Sequence, residues 1–337
     1  MKILFVGSRE SDYLQDLTFS GIVKRLGRHR VIEDKVFWRY HLPIKQYPRN
    51  LGYAGMAMPS RSWRAFAECD YVLVGAAKPD CFRRYQAILD AIPANVRTVF
   101  VDGGDRPEVG GDLDRLQAHG LFKEVTSRRP FDVVFKREYL VNVQYGPNVY
   151  PLPMSFDFSK VKMAYGVERM RWEVAFWAVE SDTIRSRAFE LLDGHFDCAE
   201  NGTCRGQKFK NYARKGRGYL DEARRCKIHL NFRGVGWDTL RYWEIPALGR
   251  FMISQKPGIV IPDDFEPEKE IVHCADDLAD LNEKCRYYLA HDDERERIAS
   301  RGFMKSLRCH SDIARADYLL GVLSGRVHFS AGYSGIP

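Results

Sequence analysis

The stretch "GVGWDTLRYWEIPALG", residues 234–249, combines glycines, an Asp-Thr pair and an Arg and a Glu three positions apart. A glycine-containing loop that runs straight into a helix presents backbone N–H groups and the positive end of the helix dipole, an arrangement suited to phosphate. Gly236, Trp237, Asp238 and Thr239 form the loop and the helix start. Arg233 and Arg241 flank it with guanidinium groups able to make charge-assisted contacts to diphosphate oxygens. Glu244 lies one turn beyond Arg241 on nearly the same face, where its carboxylate can accept hydrogen bonds from two adjacent hydroxyls such as those of a ribose. Ala247 and Gly249 keep the helix close to the next strand in this reading. The alternative is a surface helix with an Arg241–Glu244 ion pair and Gly249 as its C-cap.

Other residues could serve the same chemistry. In "VDGGDRPE" (101–108) Asp102 and Asp105 follow a strand, and a carboxylate there can act as general base toward a hydroxyl. Asp105, farther out on the loop, is the better candidate; Asp102 has loop capping as its alternative. In "FKREYL" (135–140) Lys136, Arg137 and Glu138 end a strand, and a charged trio there either lines a ligand site or forms a network. Gly7 and Ser8 let the backbone approach a phosphate. Arg185 and Arg187, early in a helix, oppose its dipole, which a local anion would explain. The Asp-x-Asp at 112–114 sits in a polar helical stretch rather than after a strand, and reads as solvent-exposed rather than metal-binding.

These residues need a scaffold, and the chain supplies a repeating one. Short apolar runs at 2–7, 70–77, 97–105 and 131–140 alternate with helical stretches such as 83–92 and 111–120, the pattern of a parallel sheet covered on both faces. "NVYPLPMSFDF" (148–158) reads as a stiff linker. The alternation then restarts with strands at 171–179, 227–234, 251–255 and 270–274. The helix at 181–194 has Ser181 or Asp182 as N-cap and Gly194 as its stop. Two helical segments follow over 276–307, then a final amphipathic helix at 312–323. The expected architecture is α/β, two Rossmann-like lobes facing across a cleft: residues 1–150, a linker at 151–170, residues 171–320, and a tail at 321–337 packing back on the first lobe. Ligands in such folds sit at the carboxyl ends of the strands.

Bulk properties narrow the partners. The chain has 337 residues, and its 52 Lys and Arg against 45 Asp and Glu leave a charge of +7, which suits an anionic ligand without naming one. Eight cysteines include no Cys-x-x-Cys pair, so reduced thiols are expected; Cys198 and Cys204 with His195 are a loose cluster whose spacing fits no common zinc site. The histidines offer no two-His metal spacing, and no Gly-x-Ser-x-Gly elbow occurs. The opening "MKILFVGSRE" is a strand, too short for a signal or a span, so a soluble, cytoplasmic protein is expected. "VGSRES" after that strand lacks the Gly-x-Gly-x-x-Gly of NAD-dependent dehydrogenases.

The segment 219–254 resembles the core of glycosyltransferases of the GT-B fold, in particular the CgeB-like (spore-maturation) branch. The shared pattern is Arg241, Trp243, Glu244, Ala247 and Gly249 after the Gly-x-Gly loop, and 276–320 resembles the family's closing helices. The resemblance implies transfer of a sugar from a UDP- or GDP-type donor held by the second lobe to an acceptor held by the first. It implies no cofactor and no metal, with arginines and a helix end meeting the charge of the leaving group. It gives Glu244 the ribose. The related retaining enzymes carry a second Glu where this chain has Gly236; Asp238 or the 236–237 backbone is the expected replacement. The acceptor is open among a glycan, a small molecule, a protein and modified bases of DNA. A non-catalytic sugar-nucleotide- or glycan-binding protein is the reading from a different class.

Overall fold

The structure, a computed structural model, describes residues 1–37, 40–41, 68–159, 169–178, 180–196 and 217–327. The chain divides into two compact units: residues 1–154, 259–262 and 312–337, and residues 155–258 and 263–311.

The first unit is built on a six-stranded, wholly parallel sheet in the order β2-β1-β3-β4-β5-β6. Its strands are β1 (Ile3–Val6), β2 (Val31–Glu33), β3 (Tyr71–Val74), β4 (Arg97–Asp102), β5 (Val133–Lys136) and β6 (Val149–Pro151). β1, β3 and β5 are buried at every position, as expected for strands covered on both faces. The helices are α1 (Tyr13–Leu26), α2 (Pro79–Ile88), α3 (Gly111–Arg115) and α4 (Leu121–Arg128). β6 falls inside the segment expected to be a linker. Its Pro151 sits opposite Lys136 in an edge strand, where a missing N–H costs no ladder bond. The chain re-enters this unit at Asp312, ahead of the tail expected at 321. There a helix (Asp312–Leu323) packs on α1 so closely that a Cβ at Gly21 would meet the Asp312 carbonyl oxygen at 2.1 Å. Ser20 Oγ and Lys24 Nζ both reach the Asp312 carboxylate, at 2.9 and 2.6 Å.

The second unit has a four-stranded parallel sheet, β10-β9-β8-β7, from β7 (Trp172–Ala175), β8 (Cys226–Asn231), β9 (Phe251–Gln255) and β10 (Val272–Cys274). Its helices are α5 (Thr183–Leu192), α6 (Arg217–Ala223), α7 (Leu240–Ala247), α8 (Leu281–Ala290) and α9 (Asp292–Cys309); the helix at 312–323 is α10. Asp182 caps α5 as expected, accepting from Ile184 N at 3.0 Å. Gly249 closes α7 in the left-handed conformation (φ +67°) with open space where a Cβ would stand. It is therefore a helix stop and not a close-approach glycine, which corrects the packing role expected for it. No described helix is long and apolar enough to cross a membrane.

Candidate functional site

β8 delivers the chain into the loop at 232–239, and α7 carries it away. The loop is shaped by Arg185, which is buried at the start of α5 and donates to the carbonyls of Arg233 (2.8 Å) and Phe232 (3.1 Å) and to Ser181 Oγ (3.2 Å). Burial and the nearby Arg241 push its pKa down to about 9, against an opposing pull from Asp182. Arg185 thus organises the loop from beneath. Gly234 leaves it room, since a Cβ there would lie 2.9 Å from Nη2. A tight turn follows, with Gly234 N donating to Gly236 O at 2.9 Å.

The helix start is unusual in how its polar residues are used. Thr239 is the N-cap of α7, yet its hydroxyl donates to Asn231 Oδ1 at 2.6 Å and caps nothing. The Asp238 carboxylate accepts from Trp243 Nε1 at 2.7 Å. Both natural capping side chains are diverted, so among the described residues Thr239 and Asp238 leave the N-terminal amides of α7 without their usual cap. Arg233 lies over the Trp237 ring at 4.6 Å and pairs with Asp182 at 3.2 Å while its side chain stays 36% exposed. Trp237 itself fits because Gly258 has no side chain; a Cβ there would stand 2.8 Å from the indole.

Behind the loop, Glu244 is only 4% exposed. Its one side-chain partner among the described residues is Tyr219, whose hydroxyl donates to Oε2 at 2.9 Å. Burial alone drives the carboxyl up to about 8. Arg241 points elsewhere: it sits over the Phe176 ring at 5.6 Å and near Tyr219, and its Nη1 is buried without a hydrogen-bond partner. The Arg241–Glu244 ion pair of the alternative reading does not form. Burial also lowers the Arg241 pKa, with Tyr219 opposing the shift. His229 on β8 donates from Nε2 to Ala223 O at 2.6 Å and is held neutral by burial, with its pKa pushed down to about 3.

The first-unit candidates form a network of paired charges. Asp102 is fully buried, accepts from Gly104 N (3.0 Å) and Gly110 N (2.8 Å), and faces Lys136 Nζ at 3.1 Å, itself fully buried. Asp102 therefore takes the loop-capping role given as its alternative, and Lys136 is its counter-charge. Asp105 is partly exposed and pairs with Arg137 and, at 3.6 Å, with Arg115. Asp112, expected at the surface, is buried and accepts from the amides of Asp105 (3.1 Å) and Arg106 (3.2 Å). Asp114 is the exposed member of that pair. The amide of Gly7 donates to Asp34 (3.3 Å), that of Ser8 to Gln15 (2.5 Å) and that of Arg9 to Asp80 (2.8 Å). These three amides are engaged within the unit. Arg187 is exposed and donates to Asp277 O at 3.0 Å.

Several participants escaped the sequence reading. Tyr219, Asn231 and Trp243 orient Glu244, Thr239 and Asp238, yet nothing in local spacing links Tyr219 to a residue so distant in the chain. Asp12 caps α1 by accepting from Gln15 N at 3.0 Å, and its carboxylate lies against Gly103, 2.8 Å from where a Cβ would be. Cys198 and Cys204 lie outside the described residues. Among the described residues no group of three His, Cys, Asp or Glu side chains is arranged to hold a metal ion.

Two parallel-sheet α/β units of this kind match the fold of GT-B glycosyltransferases, as comparison with known proteins shows. The family described as glycosyl transferase-like matches residues 194–321. An α-glucosyltransferase solved with UDP and a 13-mer DNA containing a central A:G mismatch is 13% identical, with 96% of this chain and 99% of that one covered and a TM-score of 0.58. Anabaena HepE in complex with UDP-glucose is 10% identical, covering 96% and 100%, with a TM-score of 0.60. The sucrose-phosphate synthase of Thermosynechococcus elongatus is 11% identical, covering 96% and 99%, with a TM-score of 0.55. At these identities the likeness is one of fold. No curated protein matches the sequence.

Proposed function

We propose that the protein is a glycosyltransferase that uses a nucleoside-diphosphate sugar, UDP-linked in preference to GDP-linked, without a metal ion. The second unit would hold the donor. Its diphosphate would lie at the uncapped amides of α7 beside Arg233, and its ribose hydroxyls would donate to Glu244. The first unit would hold the acceptor, whose hydroxyl oxygen forms the new bond to the anomeric carbon as the bond to the diphosphate breaks and the hydroxyl proton passes to a base, for which Asp105 is the candidate. The helix dipole and Arg233 would stabilise the departing charge. Arg241, Trp243, Glu244, Ala247 and Gly249 favour the CgeB-like branch within this class.

One observation carries the reading: Glu244 is a buried carboxyl with a single neutral partner, directly behind a helix start whose capping side chains are turned away. A buried acid left this poorly satisfied costs stability, and such groups concentrate where a ligand completes them. UDP or UDP-glucose in two of the similar structures supports the uridine preference. A thermal-shift screen against UDP, GDP, TDP and CMP sugars tests it. Stabilisation by one nucleotide class, reduced at least about tenfold in affinity by Glu244→Ala, is the expected result; indifference to every nucleoside diphosphate would refute it.

The DNA held by the α-glucosyltransferase favours a second reading of the acceptor, a modified base in DNA. Duplex binding that weakens steeply with salt would select it.

A further inference from the structure

On the outer side of α9, Arg297, Arg301, Met304 and Arg308 follow one another at steps of four, three and four residues. At about 100° per residue they fall on one stripe roughly 60° wide. All four side chains are exposed, Met304 at 60%. Leu307, 40% exposed, borders the stripe on one side and Lys305 on the other.

None of the three arginines forms an ion pair among the described residues. Glu270 and Asp263 lie in the neighbourhood of Arg308 without pairing with it. The carboxylates of α9 are concentrated in its first turns: Asp292 holds Arg295 (2.5 Å) and faces Lys227 (3.7 Å), Glu294 accepts from Tyr287 (2.9 Å), and Asp293 is exposed one turn before Arg297. Glu296 is exposed about a quarter-turn from the stripe. Arginines one turn apart repel each other, and a large exposed methionine among them gains nothing from water. Arg308 has the Cys309 thiol, Glu270 and Asp263 near it, and among the described residues no ion pair offsets the repulsion at Arg297 and Arg301.

We propose that this face of α9 docks on an anionic lipid bilayer. The arginines would meet headgroup charge while Met304 and Leu307 enter the interfacial layer, the division of labour of helices that lie on membranes. A DNA backbone would engage the arginines equally well but offers the two apolar side chains no place, so the bilayer accounts for more of the surface. The inference stands independently of the donor assignment.

Co-sedimentation of the full chain with phosphatidylcholine vesicles, with and without phosphatidylglycerol, tests it. Binding is expected to the anionic vesicles only and to fall as salt rises. Replacing Arg297, Arg301 and Arg308 together by Glu should reduce the bound fraction at least about tenfold, and Met304→Ser should reduce it by less. Arg297→Lys with Arg301→Lys should retain binding. If the charge swap disturbs folding, Arg297→Gln with Arg301→Gln at two exposed positions must lower binding in the same direction. Binding to neither vesicle, equal binding to both, or arginine-dependent capture of duplex DNA with no vesicle binding would each overturn the proposal.

Discussion

The two units carry loops at equivalent strand ends, and they treat their polar groups in opposite ways. In the first unit Asp102 faces Lys136 and caps two amides, Asp112 caps two more, and Asp105 is gripped by arginines. In the second unit the α7 start has no side-chain cap from Thr239 and Glu244 has one neutral donor among the described residues. Buried nitrogens without hydrogen bonds occur in both units, Lys136 Nζ and Arg137 Nε in the first and Arg241 Nη1 and His229 Nδ1 in the second. A carboxylate held by amides and a counter-charge fixes its own shape; a buried carboxyl with one neutral partner has capacity left for a guest. The difference teaches that charged residues at a strand end do not by themselves mark a binding site. What marks it is a buried carboxyl left without a counter-charge.

Mutations can break that contrast. The largest effect is expected from Lys136→Met, which leaves the Asp102 carboxylate buried without its counter-charge. It should cost about 3–5 kcal/mol of stability, read as a lower denaturation midpoint, with nucleotide affinity of the surviving folded protein unchanged. Lost affinity at full stability would instead return Lys136 to the donor site.

Glu244→Gln tests the opposite side. The folded carboxyl titrates near 8, above its ordinary 4.5, so between these values the folded state holds a proton that the unfolded state has lost. Stability must then fall as pH rises through that window. Wild-type protein should be less stable at pH 8 than at pH 5 on this account, and Glu244→Gln should remove an effect on the order of a few kcal/mol. Because the ionised form accepts both ribose hydroxyls, wild-type UDP affinity should climb toward pH 8 and then level off. Affinity that falls over the same range would contradict the assigned role.

Gly234→Ala sharpens the picture further. Its methyl would crowd Arg185 Nη2, so UDP affinity should drop several-fold by titration while the melting temperature moves little. The smallest effect belongs to Arg233→Ala, whose guanidinium is already shared with Asp182 and partly in water; a loss of about 1 kcal/mol or less in UDP binding is expected.

The sequence made the alternation of buried strands and helices legible, because parallel strands covered on both faces are apolar throughout. The 234–249 loop and helix were legible too, as was the Asp182 cap. β6 was hidden because two prolines around one leucine read as a linker, whereas an edge strand tolerates Pro151. α1 went unread because ten consecutive residues, from Leu14 to Val23, are buried, which erases the amphipathic period. The engagement of Lys136 with Asp102 and of Tyr219 with Glu244 depends on contacts across the fold that no local spacing encodes.

A crystal of the protein soaked with UDP addresses the donor site directly. The diphosphate should rest against the first amides of α7, with the ribose hydroxyls within about 3.2 Å of the Glu244 carboxylate. Nucleotide bound away from this turn, or a Glu244 still bonded to Tyr219 alone with the site filled, would contradict the account.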